Sequence, residues 1–137
     1  MTKLPTTGPL PRPKSPDEAR QVLKAEAFPA PNAQRVLLTA TEFTSICPRT
    51  GQPDFGSVEI EYVPGDKCLE SKALKYYLWS FRDEGAFCES LAARMADDIV
   101  WAIGPRALRV RVNQNVRGGI ALLADAVRGN WISSGGH

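Results

Sequence analysis

The sequence predicts an α+β domain whose elements run strand, strand, helix, helix, strand, strand. Three observations carry this. Residues 57–63 and 107–114 alternate apolar and charged side chains with period two. Residues 69–103 instead repeat their apolar side chains at helical spacing, and Gly85 and Gly104-Pro105 punctuate that helical stretch. At 137 residues, 43% apolar and 23% charged, the chain can bury one modest core.

Seven of the eleven prolines (Pro5, Pro9, Pro11, Pro13, Pro16, Pro29, Pro31) fall within residues 1–33, so that stretch is expected to be a Pro-rich N-terminal arm, with the folded domain over 34–137. Within the arm, Ser15 to Ala27 can form one short helix: Ser15 or Asp17 caps it, Pro16 suits its first turn, and Ala19, Val22, Leu23 and Ala27 share a face. Arg35 to Thr44, rich in Val, Leu and Thr, reads as the first strand. Ser57 to Val63, with Val58, Ile60 and Tyr62 alternating with Glu59 and Glu61, reads as the second. Cys47-Pro-Arg-Thr-Gly-Gln-Pro-Asp54 between them is rich in turn residues and reads as a loop.

Beyond the Pro64-Gly65-Asp66 turn, Leu69 to Asp83 sets Leu74, Tyr77, Leu78 and Phe81 on one helical face, with Lys72, Lys75 and Trp79 on another. A second helix, from Phe87 to Ile103, turns Leu91, Met95, Ile99 and Ala102 inward and ends at Gly104-Pro105. Ala107 to Gln114 alternates Leu108, Val110 and Val112 with Arg109 and Arg111, and Ile120 to Val127 is nearly all apolar; both read as strands.

Seventeen basic residues face fifteen acidic ones, and the whole excess lies before residue 34. A fold that lived on phosphate contacts with a duplex would carry a larger basic surplus on its folded part, so nucleic acid is not the favoured partner. Apolar runs stop at about five residues, against roughly 20 for a membrane span, and no signal-peptide core is read near Met1; a cytoplasmic protein is expected. Cys47, Cys68 and Cys88 are odd in number and widely spaced, which suits neither a disulfide framework nor a zinc motif. The one histidine is His137, so a histidine triad, a histidine zinc site and a histidine general base are all disfavoured, and no metal is expected.

Two constellations remain. Cys47 precedes a proline, with Arg49 and Asp54 close in sequence; a thiolate is a strong nucleophile and a nearby cation lowers its pKa, although a lone cysteine is more often a small buried hydrophobe. Lys72 and Lys75 share a helical face with Tyr76 and Trp79 one turn on, which suits a phosphorylated dinucleotide or, equally, a solvated lysine face.

The combined pattern is more specific. Phe43-Thr-Ser-Ile-Cys-Pro-Arg-Thr-Gly-Gln-Pro-Asp-Phe55, Glu70-Ser-Lys-Ala-Leu-Lys-Tyr-Tyr77, Ser80-Phe-Arg82, Phe87-Cys-Glu89 and Arg117-Gly-Gly-Ile120 together resemble the short form of 7-cyano-7-deazaguanine reductase, the NADPH-dependent nitrile reductase family of queuosine biosynthesis and transfer-RNA modification. The resemblance spans residues 34 to 127. It implies a tunnelling fold, a four-stranded antiparallel sheet with two helices on one face, assembled into rings, two stacked pentamers, with sites at subunit interfaces.

It further implies that Cys47 adds to the substrate nitrile as a covalent thioimidate and that Asp54 donates the proton. Leu69, Glu70 and Ser71 match the base-binding stretch, and Glu89 matches the acid that anchors the deazaguanine ring. Lys72, Lys75, Arg117, Gly118 and Gly119 match the NADPH region. Cys88 stands where the family has histidine, close to the reacting nitrile. Two alternatives are a relative that resolves the thioimidate another way, for example with ammonia to an amidine, and a non-catalytic deazapurine-binding protein. Retention of Lys72 and Lys75 weighs against the first, and the Cys47–Asp54 pair against the second.

Overall fold

A computed structural model describes residues 2–131; the single histidine, His137, lies outside them. In chain order the elements are α1 (Pro16–Glu26), β1 (Phe28–Pro29), β2 (Val36–Ile46), β3 (Pro53–Val63), β4 (Lys67–Cys68), α2 (Ser71–Trp79), α3 (Cys88–Ile103), β5 (Ala107–Arg117) and β6 (Ile120–Gly129). The four long strands form one antiparallel sheet in the order β2-β3-β5-β6, as the resemblance implied.

Alternation decides which face of this sheet is dry. Val58, Ile60 and Tyr62 of β3, with Leu108, Val110 and Val112 of β5, are buried on one face, where α2 packs over β2 and α3 over β5 and β6. The opposite face carries charge in register: Glu61 pairs with Arg109, and Arg111 with Asp125, each directly across the ladder. Along β2 the register shifts between Ala40 and Phe43, and two successive exposed residues, Thr41 and Glu42, mark a β-bulge. Gly56 is required where β3 meets β5, since a Cβ there would lie 2.1 Å from the Asn113 carbonyl oxygen.

The helices obey local rules. Ser15 Oγ accepts the Glu18 N–H and caps α1; Glu70 caps α2; Gly104, at φ 54°, ends α3 in the left-handed region and donates its N–H to the Val100 carbonyl. The expected helix over Leu69–Asp83 is shorter at both ends, because Glu70 is spent as the cap and Ser80 to Glu84 run on in tight turns.

Three features depart from the sequence reading. The short helix of the arm is present, and it belongs to the core: Ala19, Val22 and Leu23 of α1 are fully buried against α2 and α3, so three helices rather than two lie on the sheet's covered side. Pro53 and Asp54 are strand residues of β3 paired with Ile46 and Ser45, not loop residues; Pro is tolerated at the first residue of a strand. Finally, β1 and β4 form a two-residue ladder, Phe28 opposite Cys68, that fastens the chain leaving α1 to the approach of α2.

Candidate active site

The loop of residues 47–52 is closed by its own backbone: the Cys47 N–H donates to the Gln52 carbonyl, and the Gly51 N–H donates to the Cys47 carbonyl, each at 2.9 Å, with Gly51 at φ 71°. Its stem is held from outside, since Ile46 donates to the Glu84 carbonyl and accepts from the Ala86 N–H. A short rigid loop of this kind fixes one side chain, and that side chain is Cys47, partly exposed at the strand end. Hydrogen bonds from the Thr50 hydroxyl first, then from the Thr50 and Arg49 backbone N–H groups, hold its thiol below the ordinary thiol range, against a smaller opposing push from burial and the nearby Asp54. Thr50 Oγ1 itself accepts the Gln52 N–H at 3.3 Å.

Asp54, on β3, is only 5% exposed. Arg117 Nη1 donates to Asp54 Oδ1 at 2.5 Å, while Arg117 Nη2 donates to Gln114 Oε1 at 2.9 Å, so a bridge from the end of β5 pins the carboxyl. Cys88, at the start of α3, is 1% exposed, and its thiol donates to the Val112 carbonyl at 3.4 Å. Burial, followed by the charge of Glu89, pushes that thiol up, the opposite of Cys47. Glu89 is exposed in the first turn of α3, where the helix dipole favours a carboxylate. Cys47, Asp54, Cys88, Glu89 and Arg117 thus gather at one end of the sheet, and all three cysteines are free.

The second constellation lies elsewhere on the chain. Both Glu70 carboxylate oxygens cap α2, accepting from Lys72 N–H at 3.0 Å and Ala73 N–H at 2.8 Å. The Leu69 N–H donates to the buried Tyr62 hydroxyl at 2.9 Å; burial pushes that phenol up to about 12. Ser71, Lys72 and Lys75 line a groove of about 650 Å³ between α2 and β2, with Trp79, Glu42 and Arg82 among its other walls. Two exposed ammonium groups over an aromatic and aliphatic floor fit a phosphorylated dinucleotide, the cofactor that the resemblance implies.

The groove runs along β2 from Leu38 to Thr44, and its lining does not include Cys47, Asp54, Cys88, Glu89 or Arg117. Gly118 and Gly119, at φ 57° and 79°, turn β5 into β6 beside Arg117, at the Cys47 end rather than in the groove. One chain therefore brings together Cys47, Asp54, Cys88, Glu89 and Arg117, and separately Leu69 through Lys75. The sequence reading missed Thr50 and Gln114. Thr50 could have been found three residues past the cysteine in a tight turn; Gln114 carries no local signal.

The family model described as "QueF-like protein" matches residues 53–130, which hold Asp54, Leu69 through Lys75, Cys88, Glu89, Gln114 and Arg117 but not the Cys47 loop. Among curated proteins, the NADPH-dependent 7-cyano-7-deazaguanine reductase of Anaeromyxobacter sp. (strain Fw109-5) is 48% identical over 107 residues, 76% of this chain and 88% of that protein. The protein of the same name from Alkalilimnicola ehrlichii is 43% identical over 111 residues, 77% of this chain and 86% of that one. Among solved structures, the apo archaeosine synthase QueF-Like superposes with a TM-score of 0.69 at 24% identity, covering 74% of this chain and all of that chain; at that identity the likeness is one of fold.

Proposed function

Because this chain belongs to the QueF-like family of NADPH-dependent 7-cyano-7-deazaguanine reductases, we propose that it reduces the nitrile of 7-cyano-7-deazaguanine to the aminomethyl group with Cys47 as the nucleophile and Asp54 as the proton donor. The observation that carries the mechanistic part is the Cys47 thiol, lowered by Thr50 and aimed from a closed loop beside a buried carboxyl.

A nitrile carbon is a soft electrophile, and a thiolate is the one strong soft nucleophile this chain offers. Cys47 Sγ forms a bond to that carbon, one C–N π bond breaks, and the thiol's proton passes to the Asp54 carboxylate and from it to the nitrogen, so that the product is a covalent thioimidate. Arg117 and Gln114 keep Asp54 from rotating away, which holds its carboxyl group in place between the thiol and the nitrogen. Glu89 accepts the N–H donors of the guanine-like edge, a charge-assisted contact that seats the nitrile over Cys47. The buried Cys88 backs this pocket where an imidazole is the family's choice. Lys72 and Lys75 would hold the phosphates of NADPH, two molecules of which, bound one after the other, would supply the two hydrides needed to reach the amine level and free Cys47.

We take the two constellations to be joined by assembly. Leu69, Glu70 and Ser71 of one copy complete the base pocket, and Lys72 and Lys75 of that copy the cofactor groove, against Cys47 of another, in rings that we take to be two stacked pentamers. Among the described residues β2 and β6 are the edge strands of the sheet, and apart from the Ile46 end of β2 each offers an edge to such pairing. Reduced thiols and NADPH both belong to the cytoplasm, where this reading places the protein. Intact-protein mass spectrometry with the cyano-deazaguanine and no NADPH tests the nucleophile: the chain gains the ligand's mass, and Cys47→Ala does not. A Cys47→Ala chain that still gains it refutes the assignment.

A further inference from the structure

We propose that the N-terminal arm is part of the cofactor site: Leu10 forms an apolar wall of the Lys72–Lys75 groove and helps to set how tightly the dinucleotide is held. This rests on the reading of that groove as the NADPH site. The arm lies outside residues 53–130, so the family match says nothing about it.

Leu10 is fixed from both sides. Before it, Leu4 is buried and its N–H donates to Glu26 Oε2 at 2.8 Å, at the far end of α1. After it, Arg12 is ion-paired with Asp83 beyond α2, and Pro13 is buried. Between these anchors, Pro9, Pro11 and Pro13 alternate with Leu10 and Arg12. Their rings fix φ and remove backbone donors, so the segment is stiff before any ligand arrives and little entropy is lost when Leu10 meets one. Residues 14 onward run directly into α1, whose Ala19, Val22 and Leu23 are buried, so the arm is anchored to the core rather than trailing from it.

Leu10 is half-buried: part of its side chain packs on the core, and the rest faces the groove with Lys72, Lys75 and Trp79. Among the charged residues lining the groove, Lys72, Lys75 and Arg82 outnumber Glu42, which suits phosphate. Phosphate alone would need no aliphatic wall. An amphipathic dinucleotide, with anionic phosphates and flat heteroaromatic rings, uses both parts, the ring lying against Leu10.

The test uses the full chain and two readouts: KM for NADPH at saturating cyano-deazaguanine, and adduct mass on Cys47 without NADPH. Leu10→Asp is expected to raise KM by about tenfold, because a charge replaces an apolar contact, while adduct formation stays unchanged; Leu10→Met, which keeps the apolar contact, is expected to stay near the parent. Lys72→Ala with Lys75→Ala serves as the separate probe of the groove. If the lysine pair raises KM and Leu10→Asp does not, the arm's role is overturned and the groove reading stands. If neither raises it, the groove reading fails and the inference with it. Loss of adduct formation in Leu10→Asp in proportion to its KM would make Leu10 a folding residue only, which also overturns the proposal.

Discussion

Replacing Asp98 tests whether α1 is a structural partner of the other two helices. Asp98 sits on α3, 5% exposed, and takes three hydrogen bonds: from Tyr77 Oη of α2 at 2.5 Å, from Arg94 Nε of its own helix at 3.2 Å, and from Arg20 Nη1 of α1 at 3.4 Å. Arg94 reaches on to Asp17 of α1, and Arg20 stacks over Trp101 with its carbon 4.4 Å from the ring centroid. Burial, then the charge of Asp98, pushes the Tyr77 phenol far up, so it stays a donor at every accessible pH.

In Asp98→Ala the two arginines, each about a third exposed, turn to water and forfeit together no more than about 1 kcal/mol. The Tyr77 hydroxyl, fully buried, is left without an acceptor, at about 1–3 kcal/mol. The total is about 3 kcal/mol. For 137 residues, with an unfolding entropy of about 2.1 cal/mol/K per residue, this lowers Tm by about 10 °C at fixed protein concentration. The assay is thermal unfolding by circular dichroism. In a cycle with Tyr77→Phe and Asp98→Ala, it should return a coupling of about 1 kcal/mol or more between the two groups. A Tm within about 2 °C of the parent for Asp98→Ala, or no coupling, refutes the reasoning.

Three further outcomes are expected. Because the Cys47 thiol is lowered, adduct formation should persist to lower pH than reaction with a free thiol; the thiolate is lost as pH falls through its pKa, so Thr50→Val, which removes the largest stabilising bond, should move that limb to higher pH, and superimposable pH profiles would remove Thr50 from the site. Asp54→Asn should keep noncovalent binding by calorimetry yet slow turnover by about 10²-fold, in the range of general acid catalysis; near-normal turnover would dismiss it as the proton donor. Gly56→Ala should destabilise the chain by about 2 kcal/mol or more in urea unfolding, since its Cβ has no room against the Asn113 carbonyl, and a midpoint equal to the parent's would mean that β3 and β5 separate freely there.

The sheet and the two central helices were legible because each satisfies a local rule: Val58, Ile60 and Tyr62 alternate, and the spacing of Leu91, Met95 and Ile99 stops at a Gly-Pro. What local rules could not reach was long-range. Prolines marked residues 1–33 as an arm, yet the apolar face of α1 is buried, and no pattern within those residues says which surface receives it. The ladder of β1 and β4 pairs over only two residues, Phe28 with Cys68 and Pro29 with Lys67, too short for any periodicity. At the site, the Cys47 loop was readable as a rigid loop, whereas Arg117 was assigned to the cofactor through its Gly-Gly neighbours. Its bridge to Asp54, 63 residues away in sequence, depends on β3 and β5 lying side by side. Glu70 shows the converse: assigned to substrate, it is first of all a helix cap.

The β-bulge at Thr41–Glu42 acts like a frame shift in the middle of a strand. Upstream of it the even-numbered residues Val36, Leu38 and Ala40 turn toward the helices; downstream it is the odd-numbered Phe43 and Ser45. Every side chain after the bulge, up to the cysteine that leaves the strand end, takes its orientation from one inserted residue. Deleting either Thr41 or Glu42 would keep the composition of β2 almost intact and still rotate Phe43 out of its contact with Phe81, whose ring centroid lies 6.2 Å away. The same deletion would present the Cys47 loop to the wrong side of the sheet. A change in strand length at this point is therefore a change in which face of the molecule can do chemistry, and chain length across residues 40–43 is as much a determinant of the site as the identity of Cys47.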